Sequence, residues 1–292
     1  MKPIRFEFEA IGTKWIIDIA KYPSSLSKAD ILIVIKERIS EFDKTYSRFL
    51  KNSLVTKMSK SKGKYILPPD AKQMFDLYLS LYKITGGTFT PLIGNLISSA
   101  GYDANYSFKK QKLEKPYKWE EAIDYDFPNL TIKKPVILDF GAAGKGYLID
   151  IVKELLIKRG ITSFCIDAGG DIFYQDSDNK SIKVGLENPE NTKQVIGVIE
   201  ISNSSICGSS GNRRTWGEFN HIINPEKLSS ENIIKAVWVI AKTTMLADAL
   251  STCLFFIEAG KLNKYYDFEY FILNKNFTFK KSKGFNAQLF LK

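Results

Sequence analysis

Apolar and polar residues alternate at the N-terminus: Ile4, Phe6 and Phe8 are interleaved with charges, and Ile11-Gly12-Thr13 then turns the chain into a second extended run over 14–20. That pattern predicts a hairpin. Ser27-Lys28-Ala29-Asp30 reads as a capping box, after which Leu32, Ile35, Ile39 and Phe42 repeat at helical spacing. The helix is expected to end near Tyr46-Ser47-Arg48-Phe49, before a Lys/Ser-rich loop running to Lys64. Pro68-Pro69-Asp70 opens another helix, with Phe75, Tyr78, Leu81 and Tyr82 on its apolar face and Gly86-Gly87 closing it. A short helix over 91–101 leads into Gly101-Tyr102-Asp103, and the polar, turn-rich 106–126 reads as a connector or lid.

The centre of the chain, 138–174, has a denser pattern. The apolar run Val136-Ile137-Leu138 gives way to Asp139 and a small-residue loop closed by Lys145-Gly146. A helix follows, with Leu148, Ile149, Val152, Leu155 and Leu156 on one face, ending at Arg159-Gly160. Phe164-Cys165-Ile166 then opens into Asp167-Ala168-Gly169-Gly170-Asp171. The expected order is strand, loop, helix, strand, loop. Loops without side chains let backbone groups approach a ligand, and one that opens a helix aims the positive dipole end at an anion. A pyrophosphate fits such a place.

Later runs at 182–186, 195–201, 204–207, 219–223 and 237–241 are strand-like, 243–258 is helical, and 268–273 with 277–279 is a closing hairpin. Strands outnumber helices without regular alternation, so the expected class is α+β, with mixed or antiparallel sheets and packed helices. One domain over 1–292 is expected, as one body or as two interleaved α+β lobes with the site between them.

Composition narrows the function. The 292 residues, 44% hydrophobic, suffice for a sizeable core. The formal charge of +10 comes from lysines spread along the chain, which reads as a solvated surface. No basic block with interleaved aromatics appears, so no nucleic-acid partner is expected. Cys165, Cys207 and Cys253 form no CxxC pair, which removes a disulfide framework or zinc knuckle. The N-terminus lacks a signal peptide's apolar core and no run is long enough to span a bilayer. A cytoplasmic protein is expected, or an extracytoplasmic one if a leader has been removed.

Several residues carry candidate chemistry. Asp248 and Thr252 are one helical turn apart. A carboxylate and a hydroxyl on one face, completed by a backbone carbonyl, phosphate oxygens and water, suit a hard cation such as Mg²⁺. The same pair also fits a helix N-terminal region in which Asp favours the dipole and Thr bonds back to a carbonyl. His221, the only histidine, stands in Phe219-Asn220-His221-Ile222-Ile223-Asn224-Pro225, where alternation places it opposite Ile222 on a strand. Structural residue, general base and phosphate contact are all open roles for it. The loop Asp139-Phe140-Gly141-Ala142-Ala143-Gly144-Lys145-Gly146 matches neither a Walker A nor a GxGxxG pattern.

Taken in order, these pieces resemble the FAD:protein FMN transferases of the ApbE family. The resemblance runs from Gly12-Thr13 through Tyr46–Phe49 and Gly86-Gly87-Thr88-Phe89-Thr90-Pro91 to the DxGxxxKG loop. It continues through the GGD turn, the 186–189 and 204–210 segments, the HIINP run and the ADALST helix. It implies a Mg²⁺-dependent enzyme that cleaves FAD, attaches FMN to a threonine or serine hydroxyl of an acceptor flavoprotein, and releases AMP. An FAD pyrophosphatase and a non-catalytic flavin-binding protein are the alternatives. By resemblance the metal ligands are Asp248, Thr252 and the carbonyl of Gly144, where the family usually has Ala. Lys145 neutralises phosphate charge or braces the loop, and Phe49, or else Tyr46, packs on the isoalloxazine. Gly12, Thr13, Asp139, Gly141, Gly169, Gly170, Asp171 and Glu187 are implied at the flavin nucleotide. His221, Lys145 and Asp248 are the implied catalytic groups. The family's HIIDP appears here as HIINP.

Overall fold

The N-terminal hairpin forms in the computed structural model, which describes residues 3–290. Ile4–Ala10 (β1) pairs antiparallel with Thr13–Lys21 (β2). Ile11 at φ 46° and Gly12 at φ 74° make the two-residue turn, both left-handed as in the type I′ turn whose twist matches that of the strands. The pair grows into an eight-stranded sheet through Ser163–Ala168 (β3), Asp171–Gln175 (β4), Ser204–Ser210 (β5), Ile234–Ala241 (β6), Glu269–Asn274 (β7) and Phe279–Lys281 (β8). These strands lie side by side in chain order and every pairing is antiparallel. The sheet is a meander, and what positions the site is what its connections carry.

The β2–β3 connection holds the helices Lys28–Tyr46 (α1), Ala71–Ile84 (α2) and Gly144–Ile157 (α3), and the β6–β7 connection holds Thr244–Cys253 (α4). Ser27 caps α1 by accepting the Asp30 N–H. The buried stripe runs Ile31, Ile35, Ile39, Phe42, Tyr46, with Leu32 on its shoulder. α4 stops at Cys253, short of the expected residue 258. Phe255 N–H to Thr252 O and Phe256 N–H to Cys253 O tighten the chain and turn Phe255 into the core.

Alternation explains why β6 reads as a continuous apolar run. Val237, Val239 and Ala241 face the large core under the helices, while Ala236 and Trp238 face a second core. That second core is closed by the hairpin Ile182–Asn188 and Asn191–Ile201, inserted between β4 and β5. A strand buried on both faces loses the period-2 polarity that marks a half-exposed one.

Three expectations are corrected. Val136 and Leu138 are buried, but residues 136–138 form no strand: Ile137 N–H goes to Asn95 Oδ1 and Asp139 N–H to Pro91 O. Residues 219–223 are not one strand, because Asn220 Oδ1 takes the Ile222 N–H and breaks the ladder, leaving His221 at a bend between two short bridges. The second half of the 106–126 connector is regular: Trp119–Ala122 is helical, and Ile123–Asp126 joins Asn129–Ile132 and Gly63–Ile66 in a small sheet. Among the described residues no helix is long and apolar enough to cross a membrane.

Candidate active site

Two helices from distant connections meet backbone to backbone. Gly146 lies against α4 so closely that a Cβ there would sit 2.7 Å from Asp248 Cβ and collide with the Thr244 carbonyl. The contact lets Gly146 N–H donate to Asp248 Oδ2 at 2.9 Å. Asp248 Oδ1 takes no hydrogen bond from the described residues, although the side chain is 6% exposed. Burial pushes the Asp248 carboxyl upward, against the pull of the Lys145 charge and the Gly146 N–H. Asp150 on α3 fixes the crossing by accepting the Thr244 and Met245 N–H groups at 3.1 and 2.8 Å, so one helix caps the other. Thr252 follows Asp248 by one turn, 3.4 Å from Ser209 Oγ on β5.

Lys145, beside the crossing, pairs with the buried carboxylate of Asp171, whose other oxygen accepts from Gly208 N–H. The DxGxxxKG loop is thereby tied to the GGD turn. Gly169 and Gly170 take φ 65° and 94°, so a side chain at either would be strained, and at Gly169 a Cβ would also strike the Thr13 hydroxyl. Gly169 N–H donates to Lys14 O, seating the GGD turn on the Gly12-Thr13 hairpin. A cavity of about 340 Å³ opens beside this turn, between the main sheet and the 182–201 hairpin. Trp238, Val184, Asp167, Gly170, Ser209, Glu187 and Arg213 are among the residues that line it. Arg213 and Glu187 pair at 2.9 Å. Ser209 touches both the cavity and, through Ser251 at 2.7 Å, the end of α4.

Asp139 starts the loop with a side-chain turn: Oδ1 accepts the Gly141 N–H at 2.7 Å and Oδ2 takes Arg48 Nε. Arg48 is nearly buried and also donates to Tyr102 O at 2.9 Å. Phe49 lies under the Arg48 guanidinium and against Tyr102 and Tyr106. Tyr46 lies on the buried stripe of α1. Its ring packs on Phe42 and Phe140 in the core and its hydroxyl donates to Asp70, so it braces the wall. Arg48→Lys keeps the charge but loses the planar fork, which should lower stability by about 1–2 kcal/mol, read as a lower urea midpoint at unchanged slope. An unshifted midpoint would mean that Gly141 alone holds Asp139.

His221 has a buried Nδ1 without a hydrogen-bond partner. Burial first, then the charge of Arg214, lower its pKa to about 4, so the ring is neutral at pH 7. A folded pKa below the unfolded value stabilises the protein above about pH 6.5, and that contribution is lost as pH falls through about 4. His221→Asn should flatten the fall in melting temperature across that window, while an unchanged profile would remove His221 as its source. The neighbouring Arg214, whose charge acts on His221, Tyr102 and Asp248, was not singled out by sequence reasoning, nor were Arg48, Asp150, Ser209 and Arg213. Only Asp150 carried a signal, a lone acid inside the apolar stripe of α3.

A profile of the ApbE family matches residues 11–270. The "FAD:protein FMN transferase" of Buchnera aphidicola subsp. Schizaphis graminum is 26% identical over 274 residues, covering 87% of this chain and 79% of that protein. Among solved structures, the ApbE protein of Thermotoga maritima superposes with a TM-score of 0.83 at 19% identity, over 97% of this chain and 98% of that one. The flavin transferase ApbE of Vibrio cholerae gives 0.77 at 17% identity, with 96% of each chain covered. At those identities the structures speak to fold, and they agree with the meander and its insertions along nearly the full length. The family profile spans the same loop, turn and helix that the geometry brings together, and the chain belongs to the ApbE family.

Proposed function

We propose that this protein is an FAD:protein FMN transferase that uses Mg²⁺ and an acceptor Thr or Ser hydroxyl. The activity is the one named for its curated relatives. The observation that carries the reading is the α3–α4 crossing, which sets a carboxylate with one uncommitted oxygen beside Lys145 and a nucleotide-sized cavity. Among the described residues there is no cluster of three or more His, Cys, Asp or Glu that could hold a metal. One carboxylate, one hydroxyl and a backbone carbonyl at the first residue of α3 form an all-oxygen, incomplete set, which suits a cation that completes its shell with substrate phosphates and water. Asp248, Thr252 and the Gly144 carbonyl would hold it. Bound there, Mg²⁺ supplies charge neutralisation on the pyrophosphate oxygens.

The residues of this chain do the rest. The loop N–H groups at the start of α3 and the Lys145 ammonium face phosphate charge, and the cavity beside Gly169-Gly170 holds the AMP half. The acceptor oxygen attacks the FMN-side phosphorus, a P–O bond forms, and the bond to the AMP phosphate oxygen breaks in line. The hydroxyl proton leaves to a base, and AMP departs as the phosphate monoester. Neutral His221 can donate or accept one hydrogen bond here, but it brings no positive charge to the phosphates.

The test mixes full-length protein, FAD, MgCl₂ and an acceptor flavoprotein, and reads in-gel flavin fluorescence with the acceptor's mass. An FMN-sized mass gain with AMP release is expected. FMN and AMP appearing without acceptor labelling would mean hydrolysis, and FAD binding without turnover would mean a carrier.

A further inference from the structure

The loop after Gly101 holds two aromatic residues in a conformation that bulky side chains rarely adopt. Tyr106 and Phe108 both have φ 51°, the left-handed region, where a Cβ is crowded. The strain is held in place. Asp103 accepts Asn105 N–H at 2.9 Å, Ser107 N–H at 3.0 Å and the Ser107 hydroxyl at 2.6 Å, while Phe108 N–H reaches Gly101 O at 2.8 Å. Yet the ring this order fixes is not buried: Tyr106 is 49% exposed. A backbone strained to keep a large ring half in solvent is arranged for something other than core packing.

The ring's inner face has a partner. Tyr106 stacks on Phe49 with centroids 5.4 Å apart and planes 5° from parallel. Phe49 also has the Arg48 guanidinium 4.2 Å from its centroid and Tyr102 edge-on at 5.6 Å. Arg48 in turn grips Asp139 at the start of the DxGxxxKG loop. The aromatic pair is thus two contacts from the loop assigned to the pyrophosphate. In FAD a ribityl chain separates the pyrophosphate from the isoalloxazine.

We propose that Tyr106 supplies the stacking face for the isoalloxazine ring, and that Phe49 is a positioning residue behind it. The inference rests on the flavin-transferase reading and assigns its flavin-end contact to a residue outside the SRF segment. Phe49 already meets an aromatic face and a guanidinium, whereas Tyr106 is the member of the stack left open to solvent.

The full-length protein is titrated with riboflavin and with FMN, following flavin fluorescence intensity and lifetime, and with FAD for affinity. Wild type is expected to bind riboflavin and FMN with a strongly quenched, sub-nanosecond component, because a tyrosine in contact transfers an electron to excited flavin and recovers it. Phenylalanine is too hard to oxidise for this, so Tyr106→Phe should keep Kd within about threefold while losing that component. Tyr106→Ala should raise Kd about tenfold and raise the KM for FAD without lowering kcat at saturation, as expected for uniform binding. Phe49→Ala should weaken binding less, and adding it to Tyr106→Ala should weaken binding no further. Unchanged affinity in Tyr106→Ala, or an undiminished fast component in Tyr106→Phe, overturns the assignment while leaving the enzyme reading intact. A wild type that binds neither riboflavin, FMN nor FAD overturns both.

Discussion

Asp248→Asn is expected to fold normally and to lose FMN transfer by about a thousandfold or more, equivalent to about 4 kcal/mol of barrier. Asparagine keeps the shape, and its Oδ1 can still accept the Gly146 N–H that now reaches the carboxylate at 2.9 Å. What disappears is the negative charge, in a place where burial opposes charge. The folded protein without metal therefore gains or keeps stability, because a desolvated carboxylate is removed. With Mg²⁺ and FAD present, wild type should melt higher and the variant should show little of that rise. Loss of activity at preserved or raised melting temperature separates a ligand from a structural residue. Transfer by Asp248→Asn within about tenfold of wild type, at the same Mg²⁺, would remove this carboxylate from the chemistry.

The sequence revealed the elements whose signals are local. The Ile11-Gly12 turn, the Ser27 cap and the Ile35/Ile39/Phe42 stripe each depend on neighbours within a turn or two, and each formed as expected. The antiparallel order of the sheet was legible only as a class, because β6 is buried on both faces and its apolar run carries no facing information. The site divides along the same line. Asp248 with Thr252, the loop closed by Lys145 and the GGD turn stand out as short local patterns, and the resemblance supplies only their expected roles. Arg48 and Asp150 do their work across 91 and 94 residues of sequence, to Asp139 and to the N–H of Thr244, and no local pattern announces a partner that far away. Tyr46 and Phe49 stand three apart in one short motif, with Phe49 the first expectation and Tyr46 the alternative, and the end of α1 falls between them. It leaves Tyr46 on the buried stripe of the helix and Phe49 beyond it.

Gly146→Ala should be the most damaging change that alters no functional group. One methyl at this position meets the Thr244 carbonyl and lies 2.7 Å from Asp248 Cβ, and neither is the movable end of a flexible side chain. Thr244 cannot retreat. Its N–H is held by Asp150 at 3.1 Å, its hydroxyl by Ser205 at 2.9 Å, and its carbonyl lies 3.5 Å from Cys207 Sγ. Relief requires α3 and α4 to separate, which also stretches the Gly146 N–H bond to Asp248 and leaves a buried carboxylate without its backbone donor. Overpacking and the lost bond together should remove about 4 kcal/mol, lowering the melting temperature by roughly 10 °C. Gly260→Ala is the control: nothing lies within 4 Å of its added carbon, and in a helical turn it should be neutral or mildly stabilising. Transfer should fall with stability in Gly146→Ala, whereas in Asp248→Asn it falls alone. A Gly146→Ala protein that melts within about 2 °C of wild type and keeps its transfer rate would mean the helices do not meet as closely as the site requires, since a methyl of that size has nowhere else to go.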